Sequence, residues 1–440
     1  MPFEIIDDVP VAPAAALVHE HGWQSWSPTA DYPVTGRAHR PAAVAGRVPL
    51  CYRAGKPPPE TSFQGEGLLA VDPGDGNPIR VYAATDGLQE VPSIRAFYSD
   101  GRVLVSADGP VELLSLTGPL PAALGTWADG FARRAGVSAI RPAPTVWCSW
   151  YHYFTKVTEA DILENLEAIG EHDLPVDVIQ IDDGWQAEIG DWLDLSGRFS
   201  SLTGLVSRIR GAGRRAGIWA APFLVGARSA LAREHPDWLI RDADAGYNWD
   251  QSLAGLDVTH PGAADYLRRV FGMLREAGFD YYKIDFGYAA ALPGPRHSAA
   301  GPLAAYRDGV RLIREAIGPQ AYLLGCGAPI LPSVGLVDAM RVSPDVAHEY
   351  EPSDGDLSQP SQRGAALTTI ARAWQHGRWW VNDPDCLVVR PAVERREEWA
   401  EVVERYGGLR ASSDRIADLD DWGLATTRRL LSETPPRIVG

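Results

Sequence analysis

Lysine, cysteine and methionine are scarce in this chain of 440 residues, which has 4 Cys and 3 Met and carries lysine only at Lys56, Lys156 and Lys283. The cysteines, Cys51, Cys148, Cys326 and Cys386, form no CxxC pair and no Cys/His ligand spacing. Neither a disulfide framework nor a zinc site is indicated, and a reducing cytoplasm is the default compartment. No stretch approaches the ~20 uninterrupted apolar residues of a membrane-spanning helix. The amino terminus, MPFEIIDDVPVAPAAALVHEHGW, is acidic and lacks a basic leader with a long apolar run, so it does not read as a signal peptide. Basic residues number 41 against 57 acidic ones, a formal net charge of −16. That balance excludes nucleic acid and an anionic membrane surface as partners, since both need a basic face. No Gly-rich GxGxxG turn follows any apolar run, which counts against an open doubly wound sheet.

What the chain does have is a large core: 45% hydrophobic residues, with 15 Trp and 15 Tyr, exclude disorder. The first ~135 residues read as β, with apolar runs at 46–53, 67–72, 79–84, 93–99, 101–107 and 111–116 punctuated by Pro, Gly, Asp and Asn. The Pro-rich RPAPT (141–145) marks a junction. Beyond it, eight short apolar runs are expected as strands: 145–150, 176–182, 216–221, 280–285, 321–326, 338–343, 378–383 and 408–413. Helical patterns fall at 158–172, 201–216, 261–278, 302–318, 362–377, 393–408 and 422–433. The expectation is an α/β chain, a (β/α)8 TIM barrel over 141–435 preceded by a smaller β-rich domain over 1–140, with no C-terminal β domain.

In such a barrel the chemistry sits where strands end at the C-terminal mouth. The ends here carry Trp150, Asp182, Asp183, Trp219, Lys283, Asp285, Cys326, Arg341, Asp345, Asn382, Asp383 and Asp385. In YYKIDF (281–286), Lys283 and Asp285 are two apart and share a face. A mutual salt bridge is the structural reading. The functional one is a carboxylate kept ionised by an ammonium, as a nucleophile requires. MRVSPDV (340–346) supplies Asp345 beyond Pro344, either a loop cap or the partner carboxylate of Asp285. Two carboxylates facing across a barrel mouth are what glycoside cleavage needs. QIDDGWQ (180–186) places Asp182 and Asp183 side by side, suited to sugar hydroxyls. A metal there would normally recruit histidine, which is absent from the eight strand ends. Trp150, Trp219 and Trp185 are either core or flat faces for a sugar ring. In HGWQSWSP (21–28), Trp23 and Trp26 are three apart, so plain β alternation puts them on opposite faces; a loop projecting one Trp toward a partner surface is the other reading.

The strings PTVWCSWYHYF (144–154), QIDDGWQAEIGDW (180–192), GIWAAPF (217–223), YYKIDF, LLGCGAPILPSVGLVDAMRVSPD (323–345) and WWVNDPDCLVVR (379–390), together with HGWQSWSP, resemble glycoside hydrolase family 36. They are most similar to its short bacterial and thermophilic-type α-galactosidases, in order over roughly residues 144–390. The resemblance implies a barrel and a retaining double displacement on terminal α-galactosides, with Asp285 as nucleophile and Asp345 as acid/base. It implies that Asp182 and Asp183 hold the galactose 4- and 6-hydroxyls, that Lys283 and Arg341 bind ring hydroxyls, and that Cys326 lies near the 2-hydroxyl. Trp219 would pack on the sugar, Trp150 and Tyr151 would join the pocket, and Trp26 would reach it from the N-terminal domain. No metal or cofactor is implied. The partner is a small α-galactoside, with a homo-oligomer open to the chain. A galactosyl transferase, an α-N-acetylgalactosaminidase and an inactive sugar-binding protein are the alternatives. Against the family pattern, the expectation is a short N-terminal domain and no C-terminal one.

Overall fold

A computed structural model describes residues 2–40 and 46–435. The N-terminal part is a sandwich of two antiparallel sheets. One runs in the order Glu4–Pro10, Arg102–Ala107, Ser93–Ser99, Phe63–Glu66, and the other Ala30–Pro33, Leu17–Glu20, Leu68–Asp72, Ile79–Ala84, Val111–Leu116. Alternation along Leu68–Asp72 explains its unbroken apolar run. Leu69 and Val71 face the other sheet, meeting Ile94, Val103 and Val105, whereas Leu68 and Ala70 join the core that continues into the barrel. That second face is covered by helix α1 (Leu120–Arg134), whose Leu120, Ala123, Leu124, Trp127, Ala128 and Phe131 recur at helical spacing and are all buried. The expected all-β reading of this region is corrected there, and again at 46–53, where Val48–Cys51 is a single helical turn with proline near its start.

All eight expected barrel strands are present: β1 (Val146–Cys148), β2 (Val178–Ile181), β3 (Arg215–Ala220), β4 (Tyr281–Ile284), β5 (Tyr322–Gly325), β6 (Ala339–Arg341), β7 (Val381–Asp383) and β8 (Ala411–Ser412). They form one parallel sheet in the order β7-β6-β5-β4-β3-β2-β1-β8. The sheet curls until its ends meet, with the N–H groups of Gly408 (3.1 Å) and Leu409 (2.9 Å), just before β8, donating to the Asn382 carbonyl of β7. Helices α2 (Glu159–Glu171), α3 (Leu202–Gly211), α4 (Pro261–Ala277), α5 (Pro302–Ile317), α6 (Gln362–Ala371), α7 (Arg396–Tyr406) and α8 (Asp421–Ser432) fall in the seven expected windows. Between β5 and β6 the crossover shrinks to one turn, Ile330–Ser333. The capping box at Thr158, whose side chain accepts from Asp161 N–H while Asp161 accepts in return, fixes the start of α2. Among the described residues no helix is long and apolar enough to cross a membrane.

Candidate active site

Strand β4 is buried throughout, and its alternation sends Tyr282 outward against Phe271 of α4 while Lys283 points into the barrel. The Lys283 ammonium lies 3.1 Å from Asp182 Oδ2 and 3.9 Å from Asp285 Oδ2. The pair expected from sequence is therefore a triad, with Asp182 the nearer partner. Burial opposes the lysine charge, but the two carboxylates outweigh it and hold its pKa well above the ordinary value. Asp285 follows the last residue of β4 and is 6% exposed. The indole N–H of Trp219 donates to its Oδ2 at 3.0 Å, and the N–H of Phe286 donates to its Oδ1 at 2.7 Å. Trp219 reaches it because β3 pairs with β4 in a register that sets Trp219 beside Lys283.

A second group of charges gathers around Arg341 at the end of β6. Its guanidinium meets Asp345 Oδ1 at 3.1 Å, Asp383 Oδ2 at 3.2 Å and Asp385 Oδ1 at 2.6 Å. Burial alone would weaken the Arg341 charge; Asp385 and Asp383 reverse this and raise its pKa well above normal. Asp345 stands in dense surroundings yet keeps 31% of its side-chain surface open to the cleft. Desolvation raises its pKa, Arg341 and Lys283 pull it down, and Asp285 and Asp182 push it up again. Burial likewise pushes the Asp385 carboxyl up to about 7.

At the end of β2, Asp182 accepts from Gln180 (2.5 Å) as well as from Lys283, and Asp183 Oδ1 accepts from Gln186 (2.6 Å). Asp183 Oδ2 accepts the indole N–H of Trp249 at 2.8 Å. Burial raises Asp183 from 3.8 to about 6. Trp249 sits at the tip of a hairpin inserted after β3, Tyr247–Asn248 paired with Gln251–Gly255, whose two turn residues Trp249 (φ 48°) and Asp250 (φ 55°) are both left-handed. Such turns normally take Asn-Gly, so a bulky indole there is strained. Phe286 (φ 52°) and Asp385 (φ 96°) are strained too, which places three of the described left-handed non-glycine residues against the acidic cluster.

The loop after Leu17–Glu20 crosses from the sandwich to the barrel mouth. Its two tryptophans separate as the projecting-loop reading expects. Trp23 is buried against Val91 and Leu303 with Arg53 over its ring, 4.8 Å from the centroid. Trp26 meets Phe286 edge-on at 4.9 Å and lines, with Asp345, Tyr247, Asn248 and Leu50, a cleft of about 240 Å³. A Cβ at Gly327, which follows Cys326, would lie 2.7 Å from Trp26 Cη2, so only glycine lets that ring approach. The Trp26 indole nitrogen is buried and has no hydrogen-bond partner among the described residues.

Comparison with known proteins gives this arrangement a setting. The family model described as Melibiase matches residues 137–300. The solved structure of TtGalA, an α-galactosidase from Thermus thermophilus in complex with p-nitrophenyl α-D-galactopyranoside, is 31% identical, with a TM-score of 0.81 over 98% of this chain and 89% of that one. The chain belongs to glycoside hydrolase family 36, the α-galactosidase family. GH36 AgaA from Geobacillus stearothermophilus shares the fold at 15% identity, with a TM-score of 0.63 over 97% of this chain and 61% of that chain. Among curated relatives, AgaSK of Mediterraneibacter gnavus, a bifunctional α-galactosidase/sucrose kinase, is 32% identical over 33% of this chain. The α-xylosidase XylQ of Lactiplantibacillus pentosus is 28% identical over 31% of it. The aligned segments span only 16% of AgaSK and 19% of XylQ, so these relatives are much longer proteins.

Within this family 36 barrel, Asp182, Asp183, Lys283, Asp285, Arg341 and Asp345 converge. The fully buried Cys326 lies next to them, its thiol pushed up by burial and by Asp285. Two aromatic expectations, for Trp219 and Tyr151, are corrected, and Trp185, open between core and sugar face, is resolved as core. Trp219 is 2% exposed and donates to Asp285, so it orients a carboxylate and presents little face for stacking. Tyr151 is buried and its hydroxyl donates to Asp385. Trp185 is core, its indole N–H donating to the Trp219 carbonyl at 2.8 Å. Trp150 is half-buried, with Phe154 as its ring partner at 5.2 Å. Trp249, Gln180, Gln186 and Tyr247 are not evident from sequence. The one local signal for Trp249 is the polar triplet Asn248-Trp249-Asp250, which reads as a turn but not as a hydrogen-bond donor to a residue 66 positions away.

Proposed function

We propose that the protein is a retaining α-galactosidase that removes terminal α-linked galactose from small galacto-oligosaccharides. The observation that carries this is the pairing of two differently furnished aspartates, Asp285 and Asp345, from β4 and β6 of one barrel mouth. Asp285 is flanked by Lys283 and hydrogen-bonded by Trp219 and Phe286, an environment suited to an anion. Asp345 has its pKa raised by burial, and its open face looks onto the cleft, an environment suited to a proton donor. In the first step an Asp285 oxygen attacks the anomeric carbon. The bond from that carbon to the aglycone oxygen breaks, and the Asp345 proton passes to the departing oxygen. In the second step Asp345 takes a proton from water, the water oxygen attacks the anomeric carbon, and the ester to Asp285 breaks to release α-galactose. This chemistry takes two carboxyl groups ~5–5.5 Å apart.

Asp182 and Asp183 offer acceptors for the galactose 4- and 6-hydroxyls, Lys283 and Arg341 offer donors to ring hydroxyls, and the Trp26 ring lines the cleft beside Asp345. The test is a panel of nitrophenyl glycosides carrying α-galactose, α-N-acetylgalactosamine, β-arabinose, α-glucose and α-xylose, with proton NMR of the first-formed sugar. Selective cleavage of the α-galactoside with release of α-galactose is expected. A preference for the α-xyloside, or release of the β-anomer, would overturn the substrate or the mechanism respectively.

A further inference from the structure

Asp385, beyond the end of β7, has no role in the reaction just described, yet it is fully buried and held at φ 96°, a conformation that costs an aspartate on the order of 1–3 kcal/mol. Its contacts account for that strain. Oδ2 accepts the N–H of Val346 at 2.8 Å, and Val346 is the residue immediately after Asp345. Oδ2 also accepts the Tyr151 hydroxyl, which ties it to the turn after β1. Oδ1 accepts its own neighbour's N–H, from Cys386 (2.7 Å), and pairs with Arg341 at 2.6 Å. The same guanidinium holds Asp345 at the longer distance of 3.1 Å. One positive charge is thus shared by three carboxylates, and the shortest contact belongs to Asp385. A second tether runs alongside, from the Ser343 hydroxyl to the Pro384 carbonyl at 2.9 Å. The chain from Ser343 to Val346 is therefore fastened at both ends to the segment 384–385.

We propose that Asp385 is the positioning residue of the general acid: it holds the Asp345 loop in place through the Val346 N–H and competes with Asp345 for the Arg341 guanidinium. The proposal rests on the assignment of Asp345 as acid/base. The charged and titratable groups around the pair are Lys283 and Asp285 from β4, Asp182 from β2, Arg341 from β6, Asp383 from β7, and Tyr151, Cys326 and Cys386. Above about pH 7, where the Asp385 carboxyl is ionised, removing its charge leaves Arg341 to Asp345 and Asp383. A carboxyl that gains a cation ionises more readily, so Asp345 loses its proton at lower pH.

The test uses Asp385→Asn and Asp385→Gly in the full chain, since asparagine and glycine both tolerate the left-handed backbone. The readout is kcat/KM against pH on two α-galactosides. p-Nitrophenyl galactoside has a leaving group that departs with little protonation, whereas melibiose has a sugar leaving group that needs the acid. Expected for Asp385→Asn is a loss of about 100-fold or more on melibiose, within the span of general-acid contributions, against a loss within about tenfold on the aryl substrate. The basic limb of the melibiose profile should move about one unit down. Asp385→Gly should show the same split. Equal losses on both substrates with the basic limb unmoved would overturn the proposal and leave Asp385 a structural residue. So would failure of both variants to fold, judged by circular dichroism and melting. A wild-type protein inactive on both substrates would overturn the acid/base assignment, and with it this proposal. An active wild type with equal losses would overturn this proposal alone.

Discussion

Trp26 of the N-terminal sandwich packs edge-on against Phe286, the residue that follows Asp285, with ring centroids 4.9 Å apart and an interplanar angle of 73°. The two residues come from opposite ends of the fold's construction, one from a loop of the sandwich and one from the mouth of the barrel. Phe286 is locked at φ 52° and its N–H is bonded to the Asp285 carboxylate. Trp26 therefore abuts the backbone that orients the proposed nucleophile, and the sandwich becomes part of the site.

This separates the two neighbouring tryptophans by function. Trp26→Ala should raise KM for α-galactosides by about 5- to 150-fold, equivalent to ~1–3 kcal/mol of lost contact, with a small change in melting temperature. Trp23→Ala should instead cost about 3–5 kcal/mol of stability, as for a buried tryptophan cut to alanine, and leave KM near wild type. Equal melting shifts with KM unchanged in both would refute the division.

The loop that carries Trp26 is fastened by Arg372, which is fully buried and has no carboxylate partner among the described residues. Its Nη1 and Nη2 donate to the carbonyls of Ser25 (2.8 Å), Gln24 (2.9 Å), Gly22 (3.3 Å), Ser27 (3.3 Å) and, at the barrel, Val342 (3.0 Å). Burial lowers its pKa to about 9, which still leaves it charged at neutral pH. Arg372→Leu strands these carbonyls and should destabilise by about 2–4 kcal/mol while raising KM, as Trp26 loses its seat. Arg372→Lys has three donors in place of a planar fork and should restore only part of either loss. Calorimetry and steady-state kinetics on the pair check this.

The barrel strands are legible in the sequence because buried parallel strands are continuous apolar runs bounded by Gly, Pro and Asp, and β1 and β5 are of this kind. The acidic strand ends are legible for the complementary reason: a charge closing an apolar run has few structural explanations. Strands Glu4–Pro10, Leu17–Glu20, Ala30–Pro33 and Phe63–Glu66 are not, because they are short or polar and their pairing is set by partners far along the chain. Helix α1 escapes because Gly125 and Gly130 interrupt a pattern that follows directly on β segments, although its buried face is helical. Arg372, Trp249 and Asp385 act through contacts formed only once the barrel closes. Trp219 is legible in its place but not in its role. Its position follows from register, but whether an indole offers its face or its N–H depends on where Asp285 lies.

The nucleophile assignment predicts a specific chemical rescue. Asp285→Ala should lose nearly all turnover while retaining galactose binding, because Lys283 keeps Asp182 at 3.1 Å as a partner and the hydroxyl-binding groups remain. Added azide should restore some rate and give β-galactosyl azide, the product of direct attack on the face that Asp285 vacates. Asp345→Ala with azide should give the α-azide. Swapped azide anomers would reverse the two roles.

Asp183 predicts opposed effects of pH on stability and on catalysis. Its carboxyl has an ordinary value of 3.8 and is pushed to about 6 by burial, so folding favours its protonated form. For an acid shifted this way, the stabilisation is fully present below the unfolded pKa. It is lost as pH rises through about 6. A rise of this size corresponds to at most about 3 kcal/mol. Asp183→Asn removes the charge but keeps an acceptor for Trp249 or Gln186. It should therefore raise the melting temperature relative to wild type at pH 7.5, with a smaller gain at pH 5. Catalysis runs the other way. The ionised carboxylate accepts from Gln186 and Trp249 and has lone pairs left for two sugar hydroxyls, while a protonated one loses an acceptor to its own hydrogen. kcat/KM should fall as pH drops through about 6, and the Asn variant should be poor at every pH, with that part of the acid limb gone. Melting curves at the two pH values and a pH–rate profile of both proteins decide it. A variant less stable than wild type at pH 7.5, or an acid limb unchanged in the variant, would show that Asp183 is not the group that titrates there.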